Sequence, residues 1–276
     1  MNFTKLLFQT AAVKVCPADS PFWYTSGMLG PYYVNTHFLY GNETKAKALL
    51  ASIDELKNDP ATCAEKLLAI LMDNYHADEI FKNTIDGMIA TLTAKYPANT
   101  IDYISGGERR DWIFSLPVAH LLNIPHITMF KDLSCSVLKP SKSSSDQPPA
   151  ASCEFATVIH IADLLNTASS YERAWLPILA KSGARLTASL VVVDRNQGGG
   201  AFMADNDIDN IACVTIDKEF FQNAAQNDYI SVAQLRMIIE YMADPKQYMK
   251  DFLTNHPEYL ETAKDKALTE TILATL

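Results

Sequence analysis

Four short segments of this chain carry residue types suited to holding phosphate and sugar. Ser105-Gly106-Gly107-Glu108-Arg109-Arg110-Asp111-Trp112 places two glycines ahead of two adjacent arginines. Gly106 and Gly107 would let the backbone approach an anion closely, and Arg109 and Arg110 would neutralise one such as pyrophosphate. The competing reading is a tight turn with solvated arginines. Paired cations at a helix start oppose the helix dipole unless an anion compensates, which favours the binding reading. Ala162-Asp163-Leu164-Leu165-Asn166-Thr167-Ala168-Ser169-Ser170 is the second segment. Here Asp163 could accept hydrogen bonds from sugar hydroxyls. The amides and hydroxyls of Asn166, Thr167, Ala168, Ser169 and Ser170 could surround a phosphate at a helix N-terminus. Taken alone, this stretch reads equally as a helix cap by Ser169 or Ser170, the commoner arrangement.

Lys131-Asp132 is the third segment, and a lone lysine at a strand end is more often merely solvated. The fourth is Val193-Asp194-Arg195-Asn196-Gln197-Gly198-Gly199-Gly200. Arg195 could present its planar fork to a carboxylate or an imide edge. The alternative is a surface Asp-Arg pair of little energetic worth.

These segments must be positioned by regular elements, and the apolar periodicity says which. Asn42 to Leu56, Ala61 to Tyr75 and Asp78 to Lys95 repeat a helical period, a helical insertion ahead of any strand. After Pro97 the pattern alternates: Ile101 to Ser105, Asp111 to Leu122, His126 to Phe130, Thr157 to Ile161, Ser170 to Lys181, Arg185 to Val193 and Ile211 to Ile216. Such alternation predicts an α/β protein with a doubly wound parallel sheet, in which all four segments follow strands. Between Leu133 and Glu154 lies a Ser/Pro-rich stretch with little apolar surface to bury, expected to be a mobile connection. Ser231 to Ala243 and Lys246 to Leu253 read as closing helices. The expected organisation is an N-terminal segment 1–41, a helical insertion 42–96, a core 97–218 and a helical extension 219–276.

Composition narrows the function classes. A formal net charge of -9 leaves no broad basic field for nucleic acid or an anionic membrane, so any phosphate must be gripped locally. No run of 18 apolar residues suggests a membrane span. Cys16, Cys63, Cys135, Cys153 and Cys213 show no metal-ligand spacing, which fits reduced thiols in a cytoplasmic protein. No GxGxxG follows an expected strand.

A fifth stretch has no such bottom-up signal. Phe22-Trp23-Tyr24-Thr25-Ser26-Gly27-Met28-Leu29-Gly30-Pro31-Tyr32-Tyr33-Val34-Asn35 reads by itself as an aromatic, turn-rich flap. It resembles the N-terminal base-binding stretch of the orotate phosphoribosyltransferases, within the type I phosphoribosyltransferase family. Val158 to Ser170 is similar to that family's phosphoribosyl pyrophosphate signature, and Gly183-Ala184 through Asp194-Arg195 to Gly199 to the helix end and strand that follow. The resemblance covers roughly 20 to 40 and 100 to 200. It implies a Rossmann-like parallel sheet flanked by helices, Mg²⁺ carried by phosphoribosyl pyrophosphate, a nucleobase as second substrate and a homodimer. It also implies base contacts from Ser26, Gly27, Tyr32, Tyr33 and Arg195, 5′-phosphate contacts from Asn166 to Ser170, and Lys131 on phosphate.

The chain departs from the family pattern where the chemistry is done. Ala162-Asp163 stands where two adjacent acids are usual, Ala168 replaces a glycine, and Thr25 stands for a lysine. The catalytic loop's His-Gly is missing, leaving Lys139 and Lys142 in the Ser/Pro-rich stretch. Arg109 and Arg110 are candidates to replace the lost loop cations. The sequence therefore points to a pyrimidine-type phosphoribosyltransferase, with a binding protein that has lost turnover as the rival.

Overall fold

The computed structural model describes residues 2–17, 19–140, 156–263 and 265–273. Lys142, Cys153 and most of the Ser/Pro-rich connection fall at 141–155, outside the described residues. Helix α1 (Phe3–Gln9) is followed by four short strands, β1 (Val13–Val15), β2 (Phe22–Trp23), β3 (Leu29–Gly30) and β4 (Tyr32–Val34), and a 3₁₀ turn at Thr36–Tyr40. Then come α2 (Glu43–Leu56), α3 (Pro60–Ala77) and α4 (Glu79–Thr93). The strands β5 (Tyr103–Gly107), β6 (His126–Met129), β7 (Cys135–Leu138) and β8 (Thr157–Leu165) follow, with α5 (Asp111–Leu122) between β5 and β6. After β8, a π-helical turn at Tyr171–Trp175 runs into α6 (Leu176–Lys181), then β9 (Arg185–Asp194), α7 (Gly199–Asp205) and β10 (Asp209–Thr215). The chain ends with α8 (Lys218–Gln226), α9 (Val232–Ala243), α10 (Pro245–Asn255), a 3₁₀ turn at Pro257–Thr262 and α11 (Lys266–Leu273).

The chain divides into two compact units. The first comprises Met1–Ala12 with Thr36–Thr215, the second Val13–Asn35 with Ile216–Leu276. In the first unit six strands form one sheet in the order β10-β9-β8-β5-β6-β7. All neighbours are parallel except the edge pair β6 and β7. From β5 the chain turns one way to β6 and β7 and later returns to the other side at β8. The order therefore reverses between β5 and β8, and ligand crevices of open α/β sheets form outside the strand ends at such a point. Central strands are apolar because helices cover both faces. Leu190, Val191, Val192 and Val193 on β9 are all fully buried.

The three expected helices form close to their expected bounds. Asn42 and Asp78 cap α2 and α4 through side-chain oxygens on Lys45 N and on Ile80 N and Phe81 N. Each buries one stripe, Ala46, Leu49 and Ile53 on α2 and Phe81, Ile85 and Met88 on α4.

Three expectations are corrected. The helices do not precede every strand, because β1 to β4 come first, and runs of two or three residues are too short to show alternation. Ala162 to Leu165 is not loop but the continuation of β8, paired along β9 as far as Leu165 with Asp194. Gly106 and Gly107 are strand residues, and their bareness is used for packing. A Cβ on Gly106 would collide with Ser115 and one on Gly107 with the Trp175 indole, while the Gly107 N–H already donates to Asp111 Oδ2 at 3.2 Å. Gly107→Ala must displace a rigid ring, so it is expected to cost about 1–3 kcal/mol. A lowered urea midpoint with altered Trp175 fluorescence is the check.

In the second unit β1 pairs with β4 and β2 with β3, both antiparallel. Ser26 and Gly27 form the tip of the β2–β3 hairpin, with Gly27 at φ 78° in the turn. Trp23 is buried against Met249 and Leu253, stacks on Tyr259 and donates Nε1–H to Thr262 Oγ1 at 2.8 Å. Tyr32 is also core, its ring 4.8 Å from Phe221 and 6.0 Å from Tyr241. A burial signal that strong removes Tyr32 from the base-contact set. Trp23 is likewise a core residue.

Candidate active site

At the reversal point the first unit has a cavity of about 320 Å³ lined by Glu108, Arg109, Arg110, Asp111, Lys131, Ala162, Asp163, Leu164, Ser170, Tyr171 and Trp175. Arg109, Arg110, Lys131, Asp163 and Ser170 are thus brought together from three strand ends. Among the described residues Arg110 has no carboxylate partner. Arg109 does: its guanidinium is bonded to Asp54 of α2, and Lys57 bridges Asp54 at 3.0 Å and Glu108 at 3.2 Å. Glu108 in turn accepts the Lys131 amide at 3.0 Å. The Lys57 hydrogen bond above all, and Arg109 besides, hold the Asp54 carboxyl below its usual range.

Asp163 sits half-buried in β8. Its Oδ2 accepts a hydrogen bond from Thr36 Oγ1 at 2.6 Å, and its N–H donates to Asp111 Oδ1 at 2.9 Å. Burial and then the neighbouring Asp111 carboxyl push its pKa up to about 7, against the opposing pull of Thr36 and Arg110. His37, in the same turn as Thr36, is pulled down to about 4 by burial and by Arg110 and Arg109, so it is a neutral ring at physiological pH. Behind the site, His160 Nδ1 meets Ser105 Oγ at 3.0 Å, and its ring packs edge-on to Tyr171.

Beyond β8 the loop 166–170 turns into the helical segment that begins at Tyr171. No amide from Asn166 through Ser170 donates to another described residue. Ser169 and Ser170 do not cap the helix, since Ser170 makes no side-chain cap bond and Ser169 Oγ accepts from Arg173 at 3.3 Å. Ala168 holds a left-handed φ of 61° and is itself buried in the core, while Asn166, Thr167, Ser169 and Ser170 around it are exposed. The result is a run of amides at a helix start without partners among the described residues, exposed on either side of Ala168 and meeting the cavity at Ser170.

Arg195 is at the end of β9, its N–H donating to the Leu165 carbonyl at 2.9 Å, and it does not line this cavity. Asp194 accepts from Asn196 N at 2.7 Å and Asn210 Nδ2 at 2.8 Å, so it closes the turn. Sequence reasoning missed Thr36, His37, Asp54 and Asp111 as members of the site. Asp111 stood in view beside the arginines, but its partner lies 52 positions away on another strand. Among the described residues no three His, Cys, Asp or Glu side chains are grouped to hold a metal ion. No helix among them is long and apolar enough to cross a membrane.

A six-stranded, mostly parallel sheet flanked by helices, matched to the solved structures below, is the type I phosphoribosyltransferase fold. The chain is similar to Leishmania donovani UMP synthase, with a TM-score of 0.55 and 16% identity over 87% of this chain and 41% of that one. It is similar also to orotate phosphoribosyltransferase from Francisella tularensis, with a TM-score of 0.54 and 13% identity over 87% and 96% of the two chains. With the Aeropyrum pernix orotate phosphoribosyltransferase the values are 0.52 and 16%, over 81% and 99%. The chain spans less than half of the UMP synthase. No protein-family model matches the sequence, and no curated protein matches it significantly.

Proposed function

We propose that this protein is a phosphoribosyltransferase that joins a pyrimidine-like base, orotate or a relative, to phosphoribosyl pyrophosphate and releases pyrophosphate. The observation that carries the reading is the continuity of the row of unpaired amides at 166–170 with a cavity that holds Arg110, Lys131 and Asp163. A ribose carrying an anion at each end needs such a surface. Mg²⁺ arrives bound to the phosphoribosyl pyrophosphate, as part of the substrate. The amides and hydroxyls of Asn166 to Ser170 hold the 5′-phosphate, and Asp163 accepts from the ribose hydroxyls. As the bond from C1 to pyrophosphate breaks, Arg110 and Lys131 take up the charge growing on the leaving group. For the base, the resemblance gives Ser26, Gly27, Tyr33 and Arg195.

Arg109 joins the pyrophosphate contacts once it leaves Asp54. Asp54→Asn weakens that partly exposed pair, so pyrophosphate affinity measured by calorimetry is expected to rise, by up to about fivefold. The general test is to mix protein, Mg²⁺, phosphoribosyl pyrophosphate and a panel of bases with orotate first. Release of pyrophosphate supports the reading, and none with any base sinks turnover. Ala162 and the Asp54 hold on Arg109 favour a second reading, a binding protein without turnover. Thermal stabilisation by phosphoribosyl pyrophosphate with no release would select it.

A further inference from the structure

The turn that carries Arg109 and Arg110 is closed by the residue after it. Asp111 opens α5, yet its carboxylate bonds outside that helix: Oδ2 accepts the Gly107 amide at 3.2 Å and Oδ1 the Asp163 amide at 2.9 Å. The first bond closes a ring over residues 107–111, and the second ties that ring to β8. Two adjacent arginines at a helix start repel each other and oppose the helix dipole, so their turn keeps its shape only if it is held. Asp111 is the hold, and the group that orients Asp111 lies behind it.

His160 of β8 is fully buried, with Nδ1 3.0 Å from Ser105 Oγ and Nε2 3.4 Å from Asp111 Oδ2. Nε2 makes no hydrogen bond among the described residues. If it carried no proton, its bare lone pair would face a carboxylate oxygen, which is repulsive in a dry interior. With the proton on Nε2, Ser105 Oγ–H can donate to Nδ1, and the Nε2–H faces Asp111 at a range longer than a full hydrogen bond but close for a charge. A buried N–H needs an acceptor, and this carboxylate is the one the fold sets opposite it. The ring is also packed in place, with Tyr171 edge-on at 5.0 Å and Trp175 over its face at 6.0 Å and 28°.

We infer that Ser105 and His160 are positioning residues for the arginine turn. The serine hydroxyl fixes the tautomer, the Nε2–H holds the Asp111 carboxylate, and Asp111 holds the ring that presents Arg110 to the cavity. This rests on the phosphoribosyl reading above, in which that turn meets pyrophosphate, and it names what preorganises the turn from inside the sheet.

The first test is ¹⁵N NMR of the imidazole rings in the unaltered full chain, where His160 is expected to carry its proton on Nε2. The second is calorimetric titration with pyrophosphate and Mg²⁺. His160→Leu has similar bulk but no donor, and should bind pyrophosphate about tenfold or more weakly than the parent. His160→Gln can set an amide N–H near the place of Nε2–H and should stay within about threefold. In an Asp111→Asn chain, adding His160→Leu should cost less than about twofold more, because the histidine acts through that carboxylate. A ring without a proton on Nε2 overturns the inference, and so does a leucine loss of equal size with and without Asp111, which would mark His160 as structural only. A glutamine variant as weak as the leucine variant also counts against it. Should His160→Leu not fold, the NMR result decides alone. Each of these outcomes leaves the phosphoribosyl reading standing, whereas a parent chain that binds no pyrophosphate removes that reading and this inference with it.

Discussion

Asp163→Asn is expected to lose pyrophosphate release by on the order of a hundredfold or more and, at the same time, to make the chain more stable above neutral pH. The two effects share a cause. In the fold the Asp163 carboxyl is raised by burial and by Asp111, so folding favours its protonated form. Below the ordinary carboxylate range the group is protonated folded or unfolded, and it costs nothing. As pH rises from that range through the raised folded value, the unfolded chain ionises first and stability is lost. Above the folded value the protein carries the full cost of a charged carboxylate beside another. Asparagine keeps the shape and an oxygen for Thr36 but removes that cost, so the variant should be more stable than the parent at pH 8 and no different near pH 4. For a chain of this size the melting temperature should rise by roughly 2–4 °C per kcal/mol at the higher pH. An equal shift at both pH values, or none, contradicts the account.

Arg110→Ala carries the second large effect. Its guanidinium lines the cavity without a carboxylate partner among the described residues, so on the phosphoribosyl reading it is the cation available to a developing anion. Removing one such donor costs about a hundredfold in turnover. Arg109→Ala should cost much less, about fivefold, because that guanidinium is already held by Asp54 and is freed only in part. Steady-state rates of the two variants, with pyrophosphate affinity measured alongside, separate the roles. Equal losses at both positions would mean that the Asp54 pair opens without cost when substrate binds.

The sheet was legible because its central strands are long and apolar, and the turns after β5, β6, β8 and β9 stood out as places for ligand. The loop at 166–170 was legible as a polar turn ahead of a helix, from its run of small hydroxylated residues. What was not legible is what depends on contacts distant in sequence. Leu164 and Leu165 gave no sign that β8 runs on past Asp163, because the pairing with β9 decides it. The glycines of β5 looked like an anion cradle, yet Ser115 and Trp175 occupy the space they leave. Tyr32 belongs to a motif that resembles a base loop, while its ring fills an aromatic core with Phe221 and Tyr241. Nothing local to α2 announces that Asp54 and Lys57 hold Arg109 and Glu108.

The central claim, that the crevice at the ends of β5 and β8 holds a phosphorylated ribose, is tested most directly by a crystal structure grown with phosphoribosyl pyrophosphate and Mg²⁺. The 5′-phosphate is predicted on the amides of 166–170, the pyrophosphate on Arg110 and Lys131, and the ribose hydroxyls toward Asp163. Ligand bound elsewhere while this cavity holds only solvent would contradict it.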